Sequence, residues 1–91
     1  MEATLDIGEV KIRLVDETPD GLLGWASCVL NGCVFLNNIA IRRATTGEIH
    51  LTYPHTRSRS EQRYFLFNPI TQEASQAFER AILGRLPRGT R

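Results

Sequence analysis

In the first third of the chain, apolar and polar residues take turns. Val10, Ile12 and Leu14 alternate with Lys11 and Arg13, the period-two pattern of a half-buried strand, predicted over Val10–Val15. The run Asp16-Glu17-Thr18-Pro19-Asp20-Gly21 then has turn chemistry, because proline presets φ and Asp-Gly tolerates positive φ. Leu22 to Leu30 and Cys33 to Ile41 flank Asn31-Gly32, a strong short hairpin signal. A two-residue loop pairs Leu30 with Cys33, Val29 with Val34 and Cys28 with Phe35. One face would carry Cys28, Leu30, Cys33 and Phe35, and the other Trp25, Val29, Val34 and Leu36. Both faces are apolar, and one amphipathic helix can cover only one of them.

Thr45-Thr46-Gly47 marks the next turn, before a short strand from Glu48 to Tyr53 that ends at Pro54. His55 to Arg63 holds no aliphatic or aromatic side chain and reads as a loop, and Tyr64 to Phe67 as a brief apolar strand. Asn68 suits an N-cap with Pro69 at the first helical position. Ile70, Ala74, Ala77, Phe78, Ala81, Ile82 and Leu86 follow on one helical stripe, which Gly84 and Pro87 end. The expected architecture is α+β, a single domain over residues 1–91. It has a small antiparallel sheet of four to five strands, one C-terminal helix on one face, and the other face or an edge used for dimerisation.

Size and charge sharpen this picture. A 91-residue chain fits one domain and buries only about 60–65% of its unfolded surface, so pairing with a second copy is expected to add stability. No segment approaches the roughly 20 apolar residues of a membrane span, and Met1 to Ile7 lacks a basic n-region, so a cytosolic location is expected. Residues 1–38 hold six acidic and two basic side chains, while residues 39–91 hold four acidic and nine basic. Ten of the eleven basic residues are arginine, which suits bidentate binding of phosphate or carboxylate and points to an anionic partner for the second half.

Catalytic and metal chemistry find little support. Cys28, Cys33, His50 and His55 are the soft ligands besides Met1, and their spacing fits zinc patterns poorly. The cysteines are instead expected to be buried as small hydrophobes. Ser58 and Ser60 lie near His55 without an evident acid to orient it, and the glycines form neither G-x-G-x-x-G nor a P-loop. No catalytic residue, cofactor, metal or small-molecule substrate is expected. The segment Tyr53 to Tyr64 is the most informative. It carries Arg57, Arg59 and Arg63 among hydroxyl side chains, with His55, and a tyrosine at each end. Arginines and hydroxyls supply phosphate contacts, and an exposed aromatic ring can stack on an unpaired base. Arg42 and Arg43 could extend the patch. A solvated loop whose tyrosines belong to the core is the competing reading.

From about Val10 to Leu86 the chain resembles the SpoVG (stage V sporulation protein G, or putative septation protein) family. Phe35-Leu36-Asn37-Asn38-Ile39 is similar to that family's second hairpin strand. Pro54 and Arg57 match its P-S-K-R-T element, and Asn68-Pro69-Ile70 matches its H-P-I helix start. The interval from Pro54 to Pro69 fits without a gap. The chain departs from the pattern at His55 and Thr56, at Arg59-Ser60-Glu61, and at Asn68. Its end is a short basic tail, residues 87–91, where many members are acidic. The resemblance implies a small bacterial, cytoplasmic homodimer that binds DNA, and in some cases RNA, as a transcription regulator associated with sporulation, septation and cell division.

The expected interface is therefore Arg57, Arg59 and Arg63 on phosphates, with Arg42 and Arg43 as a second tier. His55 and Tyr53 are expected as base or backbone contacts. Arg80 and Arg85, on or near the exposed side of the helix, are expected to join if a dimer brings helix and loop together. The alternative is a non-catalytic protein-interaction module whose arginine loop meets an acidic partner. A metal or redox sensor would require Cys28 and Cys33 to be exposed.

Overall fold

The alternating segments of the first half become a four-stranded antiparallel meander in the computed structural model, which describes residues 5–57 and 63–86. Strands β1 (Ile7–Leu14), β2 (Leu22–Leu30), β3 (Val34–Arg43) and β4 (Ile49–Thr52) lie side by side in chain order. A separate two-stranded ribbon, β5 (His55–Arg57) with β6 (Arg63–Phe65), follows, and helix α1 (Gln72–Leu83) packs on one face of the sheet. The α+β arrangement expected from the pattern is thus present. The core is small: Leu23, Ala26, Cys28, Leu36, Ile39 and Ile41 from the sheet meet Phe78 and Ile82 from α1. Each such aliphatic or aromatic side chain gives about 1.5–3 kcal/mol on burial.

The hairpin register differs from the expected one. Asn31 (φ 52°) and Gly32 (φ 69°) take the left-handed backbone that Asn-Gly favours. The ladder, however, pairs Leu30 with Val34, Val29 with Phe35 and Cys28 with Leu36, so Cys33 joins the turn. The physical reason lies at Asp6, just before β1. Asn31 donates its amide to the Asp6 carbonyl (2.7 Å), its side-chain oxygen accepts from the Asp6 amide (2.8 Å), and Cys33 N–H closes back on Leu30 O (3.0 Å). The extra turn residue reverses the predicted faces. Leu36 is buried with Cys28, while Phe35 is 65% exposed and Cys33 lies open at the tip. A second irregularity sits at Asn37-Asn38. Both side chains are exposed, Asn38 has φ 63°, and its amide is held by Asn37 Oδ1 at 2.8 Å. This bulge returns Ile39 and Ile41 to the core side.

The helix begins three residues later than expected. Thr71 is the N-cap, its Oγ1 accepting from Ala74 N at 3.1 Å, whereas the Asn68 amide donates to the Pro69 carbonyl. Ile70 therefore falls before the helix and is 90% exposed instead of joining the core stripe. Gly84 ends the helix in right-handed geometry (φ −66°), with its amide reaching Arg80 O and Ile82 O. The segment read as one loop from His55 to Arg63 is a ribbon stem at both ends, Arg57 pairing with Arg63. Among the described residues no helix is long and apolar enough to cross a membrane.

Candidate nucleic-acid interface

The loop on which the sequence places its strongest expectation is only partly described. His55 is exposed on β5, and its ring meets the Phe65 ring edge-on with centroids 6.2 Å apart. Arg57 and Arg63 form the last backbone pair of the ribbon, and Arg59 lies outside the described residues.

Arg42 and Arg43 are already engaged. Arg42 Nη1 reaches Asp20 Oδ2 at 3.0 Å, and Arg43 Nε reaches Glu17 Oε2 at 3.3 Å. The turn between β1 and β2 thus supplies two carboxylates to the two arginines that end β3. Hydrogen bonds from the Thr18 hydroxyl and then from Arg42 hold the Asp20 carboxyl below its usual range. Arg43 is also fixed through its backbone, donating to Gly21 O at 2.8 Å. The acid–base asymmetry between the halves of the sequence is therefore partly cancelled in space.

Tyr53 is a core residue more than a surface one. Its ring meets Phe67 and Phe78 edge-on, at centroid distances of 6.2 and 5.9 Å. Burial first, and then the Glu79 carboxylate, push its hydroxyl well above the usual tyrosine range. Tyr53 Oη and Arg43 Nη2 are buried without a hydrogen-bond partner among the described residues. Arg80 and Arg85 are exposed in the helix layer. Arg85 borders a groove with Val10, Ile12 and Leu14, on the apolar side of β1, so one monomer does not bring the helix arginines beside the open face of the sheet.

A different surface emerges from the register. Lys11 pairs with Ser27, Arg13 with Trp25, Trp25 with Ala40, and Arg42 with His50. These residues occupy the sheet face away from α1. Two adjoining depressions lie there. One, of about 360 Å³, is bordered by Lys11, Arg13, Trp25, Ser27, Asn37 and Asn38. The other, of about 470 Å³, runs from Trp25 and Asn38 past Ala40 and Arg42 to Thr52, His55 and Leu66. Trp25 and Asn38 belong to both, and among the described residues no carboxylate borders either. Lys11 and Arg13 are exposed and form no ion pair among the described residues. Compared with known proteins, the chain matches no family model and no curated protein. Its open face must therefore be read from its chemistry: cations, amides, hydroxyls and one indole on a solvent-facing sheet.

The sequence held a trace of this surface in the alternation that put Lys11 and Arg13 opposite Val10, Ile12 and Leu14. The remaining part, Trp25 beside Asn37-Asn38, depended on a bulge that periodicity does not reveal. The expectation of two buried thiols is corrected in half: Cys28 is fully buried, and Cys33 is exposed because the turn absorbed it. Burial raises the Cys28 thiol above its ordinary range.

Proposed function

We propose that the protein is a homodimeric, non-enzymatic, cytoplasmic regulator that binds nucleic acid, DNA and in some settings RNA, as its resemblance to SpoVG implies. What supports the reading is the pairing of an arginine-bearing ribbon with a neighbouring sheet face whose two depressions are bordered by cations and, among the described residues, by no carboxylate. The ribbon carries Arg57 and Arg63, and its His55 and Leu66 border the same depression as Trp25 and Arg42. Phosphate contacts position such a protein, and groups that reach base edges or faces confer selectivity. Dimerisation is supported by the balance of apolar surface. Among the described residues eight form the buried core cluster, yet Val34, Phe35, Phe65, Leu66 and Ile70 are 44–90% exposed. Val34 and Ile70 border an apolar groove of about 380 Å³ with Leu5, Leu30 and Phe67, which a second copy would cover.

The test is an anisotropy titration with short duplex DNA and single-stranded RNA at low and physiological salt. It compares the wild type with an Arg57→Ala/Arg59→Ala/Arg63→Ala variant. With three or four phosphates neutralised per subunit, the log–log salt slope for the dimer on duplex DNA is expected to be about −6. A slope near zero, or binding unchanged in the folded triple variant, removes the ribbon from the interface. Absence of binding to any polymer at low salt leaves the protein-interaction module as the reading. Ile70→Asp is expected to raise the monomer fraction in sedimentation if the apolar groove is the dimer surface.

A further inference from the structure

We infer that the open sheet face is a stacking platform for single-stranded nucleic acid, with Trp25 as the base-stacking residue and Lys11 and Arg13 as backbone contacts. This rests on the nucleic-acid reading above and deepens it by naming the form of the polymer and a second surface, distinct from the arginine ribbon. Three observations carry it.

The first is position. Trp25 stands at the junction of the two depressions, flanked on β1 by Arg13, its direct cross-strand partner, and on β3 by Ala40. A bulky neighbour at position 40 would crowd the indole. Alanine there leaves a recess beside it. The second is charge. The exposed Lys11 and Arg13 have no carboxylate partner among the described residues, and no acid borders either depression. Asp20 does approach the face, but only at the rim, where it holds Arg42. An anionic strand crossing from Lys11 toward His55 therefore meets cations and neutral amides along its course.

The third is shape. The major groove of a duplex admits an α-helix or a two-stranded ribbon. Between β1 and β3 the open face carries neither, since α1 packs on the opposite face and the β5–β6 ribbon is a separate sheet. It offers recesses, with Ser27, Asn37, Asn38 and Thr52 as hydrogen-bonding groups at their edges. Recesses beside an aromatic ring accept unstacked bases, which only a single strand presents without the cost of opening a helix. The Asn37-Asn38 bulge matters here because it turns two successive amides out of the ladder on the side where Trp25 sits.

Trp25 is the only tryptophan of the chain, so its fluorescence reports on this site alone. The experiment titrates the full chain with fluorescein-labelled oligothymidylate, oligouridylate and a short duplex, following both label anisotropy and Trp25 emission. Single strands are expected to quench the emission on binding, and the duplex to bind more weakly without quenching. Trp25→Ala is expected to weaken single-strand binding about 5- to 150-fold, the loss of one stacked base, while Trp25→Phe retains most of it. Lys11→Glu/Arg13→Glu is expected to abolish single-strand binding at physiological salt, and circular dichroism confirms that each variant is folded. Should Trp25→Ala fail to fold, the quenching and the charge-reversal pair still decide the matter. Single strands that bind without quenching, or bind Lys11→Glu/Arg13→Glu as tightly as wild type, overturn the platform. In that case loss of binding in the Arg57/Arg59/Arg63 variant shows that the nucleic-acid reading survives on the ribbon alone. No binding to any of the three polymers sinks both.

Discussion

The two faces of the sheet are made by the same strands and differ in nearly every respect. Toward α1, Cys28, Ile39, Ile41 and Ile82 have no exposure at all. Away from it, Lys11 and Arg13 are exposed, Phe35 is 65% exposed, and Trp25 is only partly covered. Because successive strand residues point to opposite faces, a slip of one residue would exchange the two sets. The three-residue turn bonded to Asp6 and the bulge at Asn37-Asn38 fix the β2–β3 register near the hairpin, and further shifts lie at Gly8/Lys11 and Leu22/Gly24. The core and the proposed recognition surface thus lie on alternate residues of the same strands, which makes them separable by mutation.

The sharpest test of that separation is truncation on each face. Ile39→Ala or Ile82→Ala leaves a cavity in a core of few residues and is expected to cost about 2–5 kcal/mol in urea unfolding. That is a large share of the roughly 5–14 kcal/mol available to a domain of this length. Phe35→Ala or Lys11→Ala on the open face is expected to change stability by less than about 1 kcal/mol. Equal costs on both faces would mean that the open face is packed in solution, most simply against a second copy.

The next effect concerns the turn that joins the faces at their edge. Gly21 has φ 90°, and a methyl group there would collide with the Arg43 carbonyl oxygen. Gly21→Ala is expected to cost about 2 kcal/mol, from left-handed strain together with displacement of β3. Thermal unfolding measures it, and a loss below about 0.5 kcal/mol would show that the turn relaxes freely.

Tyr53→Phe should move stability the other way. The Tyr53 hydroxyl is buried without a partner among the described residues, so its removal is expected to stabilise the fold by about 1 kcal/mol. Its pH signature has a definite sign. The folded hydroxyl titrates above the ordinary value of 10.0, so above that pH the unfolded chain loses the proton first and stability falls as pH rises. Cys28, raised above 9.0 by burial, contributes in the same direction, so Tyr53→Phe is expected to reduce the alkaline loss of melting temperature without removing it. An unchanged slope would place the Tyr53 hydroxyl in water.

Much of the scaffold was legible from local rules, because strands, turns and the helix stripe depend on neighbours a few residues apart. Val10 to Leu14, the Asp-Gly turn, the Asn-Gly hairpin and the Phe78/Ile82 stripe all stand where their residue types direct them. What failed depended on contacts distant in sequence. Asp6 reaches across to Asn31 and lengthens the turn, which alone reassigns Phe35, Leu36 and Cys33. The helix start is a local exception: Thr71 Oγ1 takes the Ala74 amide as the cap, while the Asn68 side-chain amide donates to the Pro69 carbonyl, and Ile70 falls outside the helix. The candidate site suffered most. Arg42 and Arg43 looked available in the sequence, and only the fold brings Asp20 and Glu17 to them. Lys11 and Arg13 stand amid six acidic residues in the first 38 positions, and only the sheet sets them beside Trp25.

The smallest stability effect is also the one that best divides the faces. Asp20 is exposed and bound to Thr18 and Arg42, and an ion pair in water is screened and contributes little to stability. Asp20→Asn is therefore expected to leave the melting temperature almost unchanged. Because the folded carboxyl titrates below the ordinary aspartate value of 3.8, the little stability it gives is present above that pH and is lost as pH falls through the depressed value. Binding should respond differently. Removing this carboxylate releases Arg42 at the edge of the second depression, so polyanion affinity is expected to rise and the salt slope to steepen by about one counterion. A variant with unaltered folding and tighter binding would mean that Asp20 restrains a binding surface. Unaltered folding with unaltered binding would confine Arg42 to holding the β1–β2 turn and leave recognition to Lys11, Arg13 and the ribbon.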